Sequence, residues 1–399
     1  MSSAADTVAR LTAATSGLPA PLAVVDLDAF DANALDLLKR ADGVPVRVAS
    51  KSVRVRSLVA RAAGHSFAGV MAYSVREALW LVSEGVRDVL VGYPTVDEEA
   101  LAALAADATA RAEITLMVDD VVHLGLIADA DQAAGASAHP VQVCLDVDCS
   151  LRVGVGALTA HLGVRRSPLR EPGDVAALAT VAQARGLSVR GLMFYEAQVA
   201  GLPDTSPAVR LVKRLSMREV NDRRVRILAA VRDAVGQEVE LVNAGGTGSI
   251  EVSGGAPGVT EVTAGSGLYM PGLFDGYRSF RPRPAAFFGL DVVREPAPGW
   301  VTAFGGGYVA SGKAGAARVP RLFTPGYALN GPEGVGEVQT PLRVTRGASG
   351  AGLRIGDRVW LRHAKAGEMM ERFDQVHLVR GDKIVETVPT YRGEQKNFG

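Results

Sequence analysis

Lys51 is the residue of this chain whose type and position could do covalent chemistry. It lies at the carboxyl end of the apolar run Val46–Ser52 (VRVASKS), which we interpret as the first of a long series of strands. Catalytic residues of barrels lie at the carboxyl ends of strands, and a lysine amine there can attack a carbonyl and form a Schiff base. The alternative is a lysine that is simply solvated at the end of a strand.

Two glycine-rich segments could bind a phosphate group. Asn243–Ser249 (NAGGTGS) follows the seventh predicted strand, and Ala264–Gly267 (AGSG) follows the eighth. Glycine lets backbone N–H groups approach a phosphate, and a hydroxyl adds a further donor. Each segment could be an ordinary tight turn. Because barrels often bind phosphate at these two loops, the pair favours a phosphate site.

Polar side chains also follow the fifth and sixth predicted strands. Arg152 comes after the fifth strand, where its guanidinium could hold a phenolate oxygen or a carboxylate. The alternative is a surface arginine paired with Asp146 or Asp148. Tyr195 and Glu196 stand side by side after the sixth strand, and one of them could face a cofactor ring. The alternative is a tyrosine packed in the core beside a solvated glutamate.

His363 could act as an acid, a base or a metal ligand. It lies in the segment Leu361–Glu368 (LRHAKAGE), and the chain has six histidines in total. Its ordinary pKa lies near physiological pH, which suits proton transfer. The alternative is a histidine in a surface turn.

The elements that position these residues alternate regularly. Short apolar runs are each followed by an alanine- and leucine-rich helical stretch, and the helices at 54–63 and 74–84 are the clearest, the latter with Ser74 as N-cap. Such alternation predicts an α/β fold, a parallel (β/α)8 TIM barrel. An open doubly wound sheet is the alternative, although its usual G-x-G-x-x-G is missing. The eight predicted strands are 46–50, 68–73, 88–92, 113–118, 141–147, 189–195, 239–243 and 259–263.

Other segments flank this pattern. A short strand at 22–27 precedes a helix at 28–40 that Asp28 could cap. After about Phe280 prolines cluster and helical periodicity ends, which predicts a mostly β C-terminal domain with a hairpin at 380–382. We therefore predict a lead-in at 1–21, a barrel domain at 22–280 and a β domain at 281–399. The predicted strands of the β domain are 285–293, 300–304, 334–345, 358–362, 376–380 and 383–387.

Composition narrows the class of partner. The chain has 399 residues, 48% of them hydrophobic, with 43 basic and 43 acidic side chains. Balanced charge without a basic block argues against nucleic acid, so we expect a small-molecule ligand. Cys144 and Cys149 are not spaced as a zinc pair, and no disulfide framework is implied. No signal peptide or membrane span is indicated, and we expect a cytoplasmic protein without a membrane partner.

Taken in order, these motifs resemble the fold-type III pyridoxal-phosphate enzymes, the architecture of alanine racemase. The motifs are a lysine after strand one, R-x-G-V after strand five, G-G-T-G after strand seven and A-G-S after strand eight. Within that superfamily the chain is more similar to the D-threonine aldolase and D-serine dehydratase branch. The resemblance extends from about Leu22 to Gly393.

The resemblance implies a role for each matching residue. Lys51 would hold pyridoxal phosphate as an internal aldimine, Arg152 would contact its phenolic oxygen, and Tyr195, next to Glu196, would lie beside the pyridine ring. It also implies a homodimer with shared active sites, because the second domain packs on the partner's barrel. The phosphate would be held by Gly246, Thr247, Gly248, Ser266 and Gly267, with Tyr269 adding a hydroxyl.

Two positions depart from that branch. Glu196 stands where histidine usually follows the tyrosine. His363 is followed two positions later by Lys365, where the branch has a cysteine or aspartate that binds a divalent metal. An ammonium does not ligate metal. Either Glu368 replaces the missing ligand, or the site is metal-free with Lys365 supplying positive charge near the substrate.

The resemblance predicts a lyase that acts on a β-hydroxy D-amino acid. In retro-aldol cleavage His363 would remove the β-hydroxyl proton, whereas in dehydration Lys51 would remove the α-proton and the hydroxyl would leave. Alternatives are a racemase, which needs a second base opposite Lys51, and a non-catalytic pyridoxal-phosphate carrier, which the β domain argues against. A metabolic barrel without pyridoxal phosphate would leave Lys51 and both glycine loops unexplained.

Overall fold

A computed structural model describes residues 3–135, 139–154, 156–346 and 352–399. It divides into two compact units. We call residues 36–50, 62–265 and 398–399 the barrel unit, and residues up to Leu35, 51–61 and 266–397 the sheet unit. The predicted domain boundaries at 21/22 and 280/281 stay predictions. Val155 of the R-x-G-V motif lies outside the described residues.

The helices and strands are numbered in chain order. The strands are β1 (Leu22–Asp26), β2 (Val46–Ala49), β3 (Val70–Ala72), β4 (Val89–Val91), β5 (Ile114–Val118), β6 (Gln142–Asp146), β7 (Leu151–Val153), β8 (Ala160–Leu162), β9 (Ser188–Phe194), β10 (Leu241–Ala244), β11 (Glu261–Ala264), β12 (Ala286–Ala297), β13 (Trp300–Phe304), β14 (Arg321–Leu322), β15 (Tyr327–Leu329), β16 (Gln339–Val344), β17 (Arg358–Arg362), β18 (Gln375–Arg380) and β19 (Lys383–Pro389). The α-helices are α1 (Ala4–Ala14), α2 (Leu27–Ala41), α3 (Arg56–Gly64), α4 (Val75–Ser83), α5 (Glu98–Ala106), α6 (Ala108–Glu113), α7 (Val121–Ala134), α8 (Pro172–Ala184), α9 (Ala197–Ala200), α10 (Pro207–Val235), α11 (Ile250–Gly254) and α12 (Ser266–Tyr269).

The barrel unit is built on a closed parallel barrel. Within the described residues its strands run in the order β2-β3-β4-β5-β6-β9-β10-β11, and β11 pairs with β2 to close it. All eight predicted strands are present, so the barrel prediction is confirmed and the open doubly wound alternative is wrong. Side chains from β4, β5, β6, β9 and β10 fill the interior with Leu90, Met117, Cys144, Met193 and Leu241.

A buried ionic network joins strands of the barrel. Arg47 of β2 is 1% exposed, and its Nε donates to Glu261 of β11 at 2.7 Å. Its Nη2 contacts the Asp88 carboxylate at 2.7 Å, and Asp88 also pairs with Arg190 of β9 at 2.8 Å. These groups lie toward the amino ends of the strands, where barrel residues serve stability.

The sheet unit contains β1 and, in the described part of the chain, β12 to β19. β1 pairs antiparallel with β12 and parallel with β18, so the strand predicted at 22–27 belongs to this sheet. All six predicted strands of the β domain exist, although the one predicted at 334–345 covers only Gln339–Val344. Sequence reasoning missed β14 and β15, because two- and three-residue strands are too short to show a period.

Three local predictions concern two helix caps and one hairpin, and the structure confirms the cap at Ser74 and the hairpin. Ser74 caps α4, since its hydroxyl accepts the N–H of Glu77 at 3.2 Å. The cap predicted at Asp28 is wrong, because α2 begins at Leu27 and the Asp26 carboxylate accepts the N–H of Asp28 at 3.0 Å. The hairpin is confirmed, with Arg380 opposite Lys383.

Two further predictions concern cysteines and membranes. Cys144 and Cys149 are free thiols, and both are buried. Among the helices that the structure describes, none combines the length and the apolar character needed to span a membrane.

Candidate active site

Lys51 lies in a short 3-10 turn, Ser50–Ser52, that directly follows β2. The side chain of Ser50 donates to the Met71 carbonyl of β3 at 3.0 Å. The Nε of Arg54 donates to the Lys51 carbonyl at 3.2 Å. Contacts on both sides of Lys51 therefore hold its backbone, and the peptide chain places it at the carboxyl end of the first barrel strand.

His363 is buried in the sheet unit, so the alternative of a surface turn is wrong. It follows β17 and is 3% exposed, with its ring edge-on to Tyr269 at a centroid distance of 6.0 Å. Neither ring nitrogen makes a hydrogen bond of good geometry within the described residues, although the backbones of Ala366 and Ala286 lie close enough to oppose the fall of its pKa. Burial and the neighbouring Arg362 lower the pKa of His363 to about 3. The imidazole is therefore neutral at pH 7 and can accept a proton.

This low pKa predicts a pH-dependent stability. Between pH 6.5, the ordinary value, and about 3, the unfolded chain binds a proton that folded His363 does not. The contribution of the neutral His363 side chain to the free energy of unfolding is thus complete above pH 6.5 and is lost as the pH falls. We expect the difference in unfolding free energy between wild type and His363→Gln to decrease by about 1.4 kcal/mol per pH unit below pH 6.5. Urea unfolding at pH 7, 6 and 5 measures it; a constant difference would contradict the buried neutral state.

Tyr269 supports the turn that carries Lys51. Its hydroxyl donates to the Val53 carbonyl at 2.9 Å, and its side chain is fully buried. Burial raises the pKa of Tyr269 well above its usual value. The hydroxyl therefore stays protonated and fastens the backbone two residues after Lys51. Contact of this hydroxyl with a phosphate stays a prediction, as do the phosphate contacts of Ser266 and Gly267, which begin α12.

Gly367 packs against the same turn. A Cβ added to Gly367 would lie 2.5 Å from the carbonyl carbon of Ser52 and 2.9 Å from the Val53 nitrogen. Backbone atoms cannot move aside as a flexible side chain would. The segment 363–368 therefore meets the chain directly after Lys51.

Gly367→Ala is expected to displace the Lys51 turn. We expect a loss of about 1–3 kcal/mol in unfolding free energy, because overpacking forces the backbone to shift. The control is Gly331→Ala in the same unit, where an added Cβ has no neighbour within 4 Å. Urea unfolding compares the two variants. Equal midpoints for both variants would contradict this prediction.

The side chains near His363 do not fit a divalent metal. Glu368 accepts the backbone N–H of Ser311 at 2.9 Å. Within the described residues no group of three or more His, Cys, Asp or Glu side chains is arranged to hold a metal ion. Lys365 brings an ammonium to this segment, which repels a cation. Metal ligation by His363 and Glu368 therefore has no support from the arrangement of donors in the described residues.

Arg152 forms an ion pair with Asp148, which is the alternative that the sequence left open. It lies in β7, and its Nη2 contacts the Asp148 carboxylate at 2.8 Å, with the side chain 43% exposed. Tyr195, by contrast, directly follows β9 and packs against the barrel interior. Burial raises the pKa of Tyr195 to about 12, so its hydroxyl is neutral.

Glu196 shapes the glycine loop after β10. It is fully buried, so the solvated alternative is wrong. Its carboxylate accepts the Gly245 N–H at 3.2 Å and the Ser249 hydroxyl at 3.1 Å, and it also accepts the Ser253 hydroxyl. Sequence reasoning placed Glu196 against a cofactor, a contact that stays a prediction. In this structure its carboxylate binds both ends of the glycine loop, at Gly245 and at Ser249.

The loop itself passes close to Tyr195. A Cβ on Gly246 would lie 3.0 Å from the Ala200 side chain and 3.5 Å from Cε2 of Tyr195. The Thr247 carbonyl accepts Nη2 of Arg40 at 2.7 Å, which sets the path of the chain before Gly248. The predicted phosphate loop and the predicted ring contact are thus neighbours within the barrel unit. This arrangement fits a cofactor that carries both an aromatic ring and a phosphate, as pyridoxal phosphate does.

Known proteins resemble this chain over most of its length. It is 28% identical over 291 residues to a D-threonine aldolase from Arthrobacter sp, which covers 70% of this chain and 69% of that protein. It is 26% identical over 262 residues to a 3-hydroxy-D-aspartate aldolase from Paracoccus denitrificans (strain Pd 1222), covering 64% and 58%. The crystal structure of D-threonine aldolase from Filomicrobium marinum superposes with a TM-score of 0.79 at 24% identity, covering 94% of this chain and 96% of that chain.

One family profile matches the barrel and its motifs. The family described as "Alanine racemase, N-terminal domain" matches residues 25–271, more than half of the chain. The match contains Lys51, Tyr195 and both glycine loops. The chain therefore belongs to the alanine racemase N-terminal domain family, the fold-type III pyridoxal-phosphate enzymes.

Proposed function

We propose that this protein is a pyridoxal-phosphate-dependent lyase that cleaves β-hydroxy D-amino acids. The position of Lys51, in a held turn directly after the first barrel strand, carries the proposal. Two relatives named as aldolases of D-amino acids support this choice of substrate class over racemisation.

Each proposed site residue has its own role in binding the cofactor. Lys51 holds the cofactor through its side-chain amine, Tyr195 lies beside the cofactor ring, and the loop at Gly246–Gly248 receives its phosphate. Arg152, whose Nη2 pairs with Asp148, is the candidate contact for the phenolic oxygen. Pyridoxal phosphate, when bound, supplies an electron sink for the bond that breaks.

His363 is the proposed base for the β-hydroxyl proton. The buried imidazole is neutral at pH 7, and its ring nitrogens lack good hydrogen bonds within the described residues, so one of them can accept this proton. A base with a pKa of about 3 is weak. We therefore expect proton transfer to accompany cleavage of the Cα–Cβ bond rather than to precede it. Lys365, two residues after His363, adds a positive charge to the same segment.

The deciding experiment combines absorption spectra with product analysis. The purified protein, loaded with pyridoxal phosphate, is mixed with D- and L-β-hydroxy amino acids. Glycine plus an aldehyde from the D-isomers supports the proposal. A 2-oxo acid plus ammonia as products would show dehydration instead of cleavage. The mirror-image amino acid as product would indicate a racemase. A bound cofactor that reacts with no amino acid would indicate a carrier.

We further propose a homodimer with shared active sites, located in the cytoplasm. The family resemblance supports the dimer, and the two free cysteines, which form no disulfide framework, support the location. Light scattering of the holoprotein tests the dimer; a monomer that retains full activity would contradict shared sites.

A further inference from the structure

Arg166 connects three strand ends of the barrel unit, although no sequence motif drew attention to it. It lies between β8 and α8. Its Cζ is 5.2 Å from the ring centroid of Tyr93, after β4, and 5.3 Å from that of Tyr195, after β9. Its Nη2 donates to the Gly92 carbonyl at 3.1 Å, and its Nε is 3.4 Å from the Asp146 carboxylate at the end of β6.

The backbone beside Arg166 is firmly held. The Ser167 hydroxyl donates to the Asp146 carbonyl at 2.6 Å, and the Asp148 N–H donates to the Leu169 carbonyl at 2.7 Å. The Leu169 N–H in turn donates to the Ser167 hydroxyl at 3.0 Å. Because both ends of this short segment are tied to the strand-end segment 146–148, the Arg166 backbone is held beside the strand ends from which its side chain reaches the Tyr195 ring.

A substrate-binding arginine would need donors that are available to an anion. Here the guanidinium lies over two aromatic rings, while Nε faces Asp146 and Nη2 is used by Gly92. Burial raises the pKa of Asp146 to about 6, and Arg166 opposes that rise, so this carboxylate is ionised at neutral pH and balances the guanidinium. The contacts therefore favour a structural clamp over an anion site.

We propose that Arg166 is a positioning residue that holds the Tyr195 ring in place for the cofactor. The inference rests on the proposed function only in taking Tyr195 as the neighbour of the cofactor ring. A cation over the face of a tyrosine is attracted by the ring quadrupole, and this attraction is strongest when water is excluded. Tyr195 is partly buried against the barrel interior and the Arg166 side chain is 23% exposed, so the contact is partly shielded from water.

The test measures cofactor affinity, visible absorption and steady-state kinetics of the holoprotein. Arg166→Met is expected to weaken pyridoxal-phosphate binding about tenfold, which lies between the effects of an exposed and a desolvated cation–π contact. Arg166→Lys, which keeps a cation, should recover part of the affinity. The matched control is Arg165→Met, the exposed neighbouring arginine, which should bind cofactor like the wild type.

A double-mutant cycle with Tyr195→Leu separates positioning from general structural damage. If Arg166 acts through the Tyr195 ring, Arg166→Met should change cofactor affinity less than twofold in the Tyr195→Leu background. An undiminished tenfold loss there, or wild-type affinity in Arg166→Met alone, would overturn the inference. If the methionine variant does not fold by circular dichroism, the same cycle with Arg166→Lys decides it. A wild type that binds the cofactor but does not cleave β-hydroxy D-amino acids refutes the proposed function alone.

Discussion

Replacing Lys51 by alanine is expected to remove the visible absorption band of the lysine-bound cofactor and to lower turnover by at least ~1,000-fold. No other residue can take its place in the turn Ser50–Ser52, because the flanking residues Ser50 and Ser52 carry hydroxyls. Spectra of the reconstituted variant and initial rates with a D-β-hydroxy amino acid measure both effects. After borohydride reduction of the wild type, peptide mapping should find the cofactor on the peptide that contains Lys51.

The matched control is Lys39→Ala. Lys39 is an exposed lysine in the last turn of α2 and should leave both the spectrum and the rate unchanged. A Lys51→Ala protein that keeps the same band would assign the cofactor to a different lysine. A wild type that cannot be reconstituted with pyridoxal phosphate would leave only a barrel with a phosphate site.

Replacing Arg47 by methionine is expected to cost about 3–5 kcal/mol in unfolding free energy. The variant leaves the Glu261 carboxylate buried, with Asn243 at 2.5 Å as a neutral partner in place of the ion pair. Burial alone lowers the pKa of Arg47, but Glu261 and Asp88 outweigh it, so the pKa is raised and the guanidinium stays charged. Urea unfolding followed by circular dichroism measures the loss.

The control for this variant is Arg76→Met. Arg76 also contacts two carboxylates, Asp97 at 2.6 Å and Glu99 at 2.7 Å, but its side chain is 51% exposed. Solvent screens such a pair, so we expect a loss below about 1 kcal/mol. If the two variants lose equal stability, burial of the Arg47 network is not what makes it strong.

The sequence by itself determined the barrel and the place of Lys51. An apolar run of four to eight residues bounded by turn residues is typical of a buried strand, and parallel strands need a crossover that is usually a helix, so the repeated alternation is visible locally. Lys51 and both glycine loops could be placed because each lies next to a predicted strand end, and barrel chemistry collects there. The family resemblance used the same short, ordered motifs.

The tertiary structure decided which side chains meet. β1 looks like any other short strand, yet it pairs with β12 and β18, more than 250 residues later in the chain. Glu196 is buried because Gly245 and Ser253, 49 and 57 positions away, supply its hydrogen-bond donors. The low pKa of His363 and the contact of Arg166 with Tyr195 arise in the same way. Burial and electrostatic environment depend on residues that are distant in sequence, so no local pattern could reveal them.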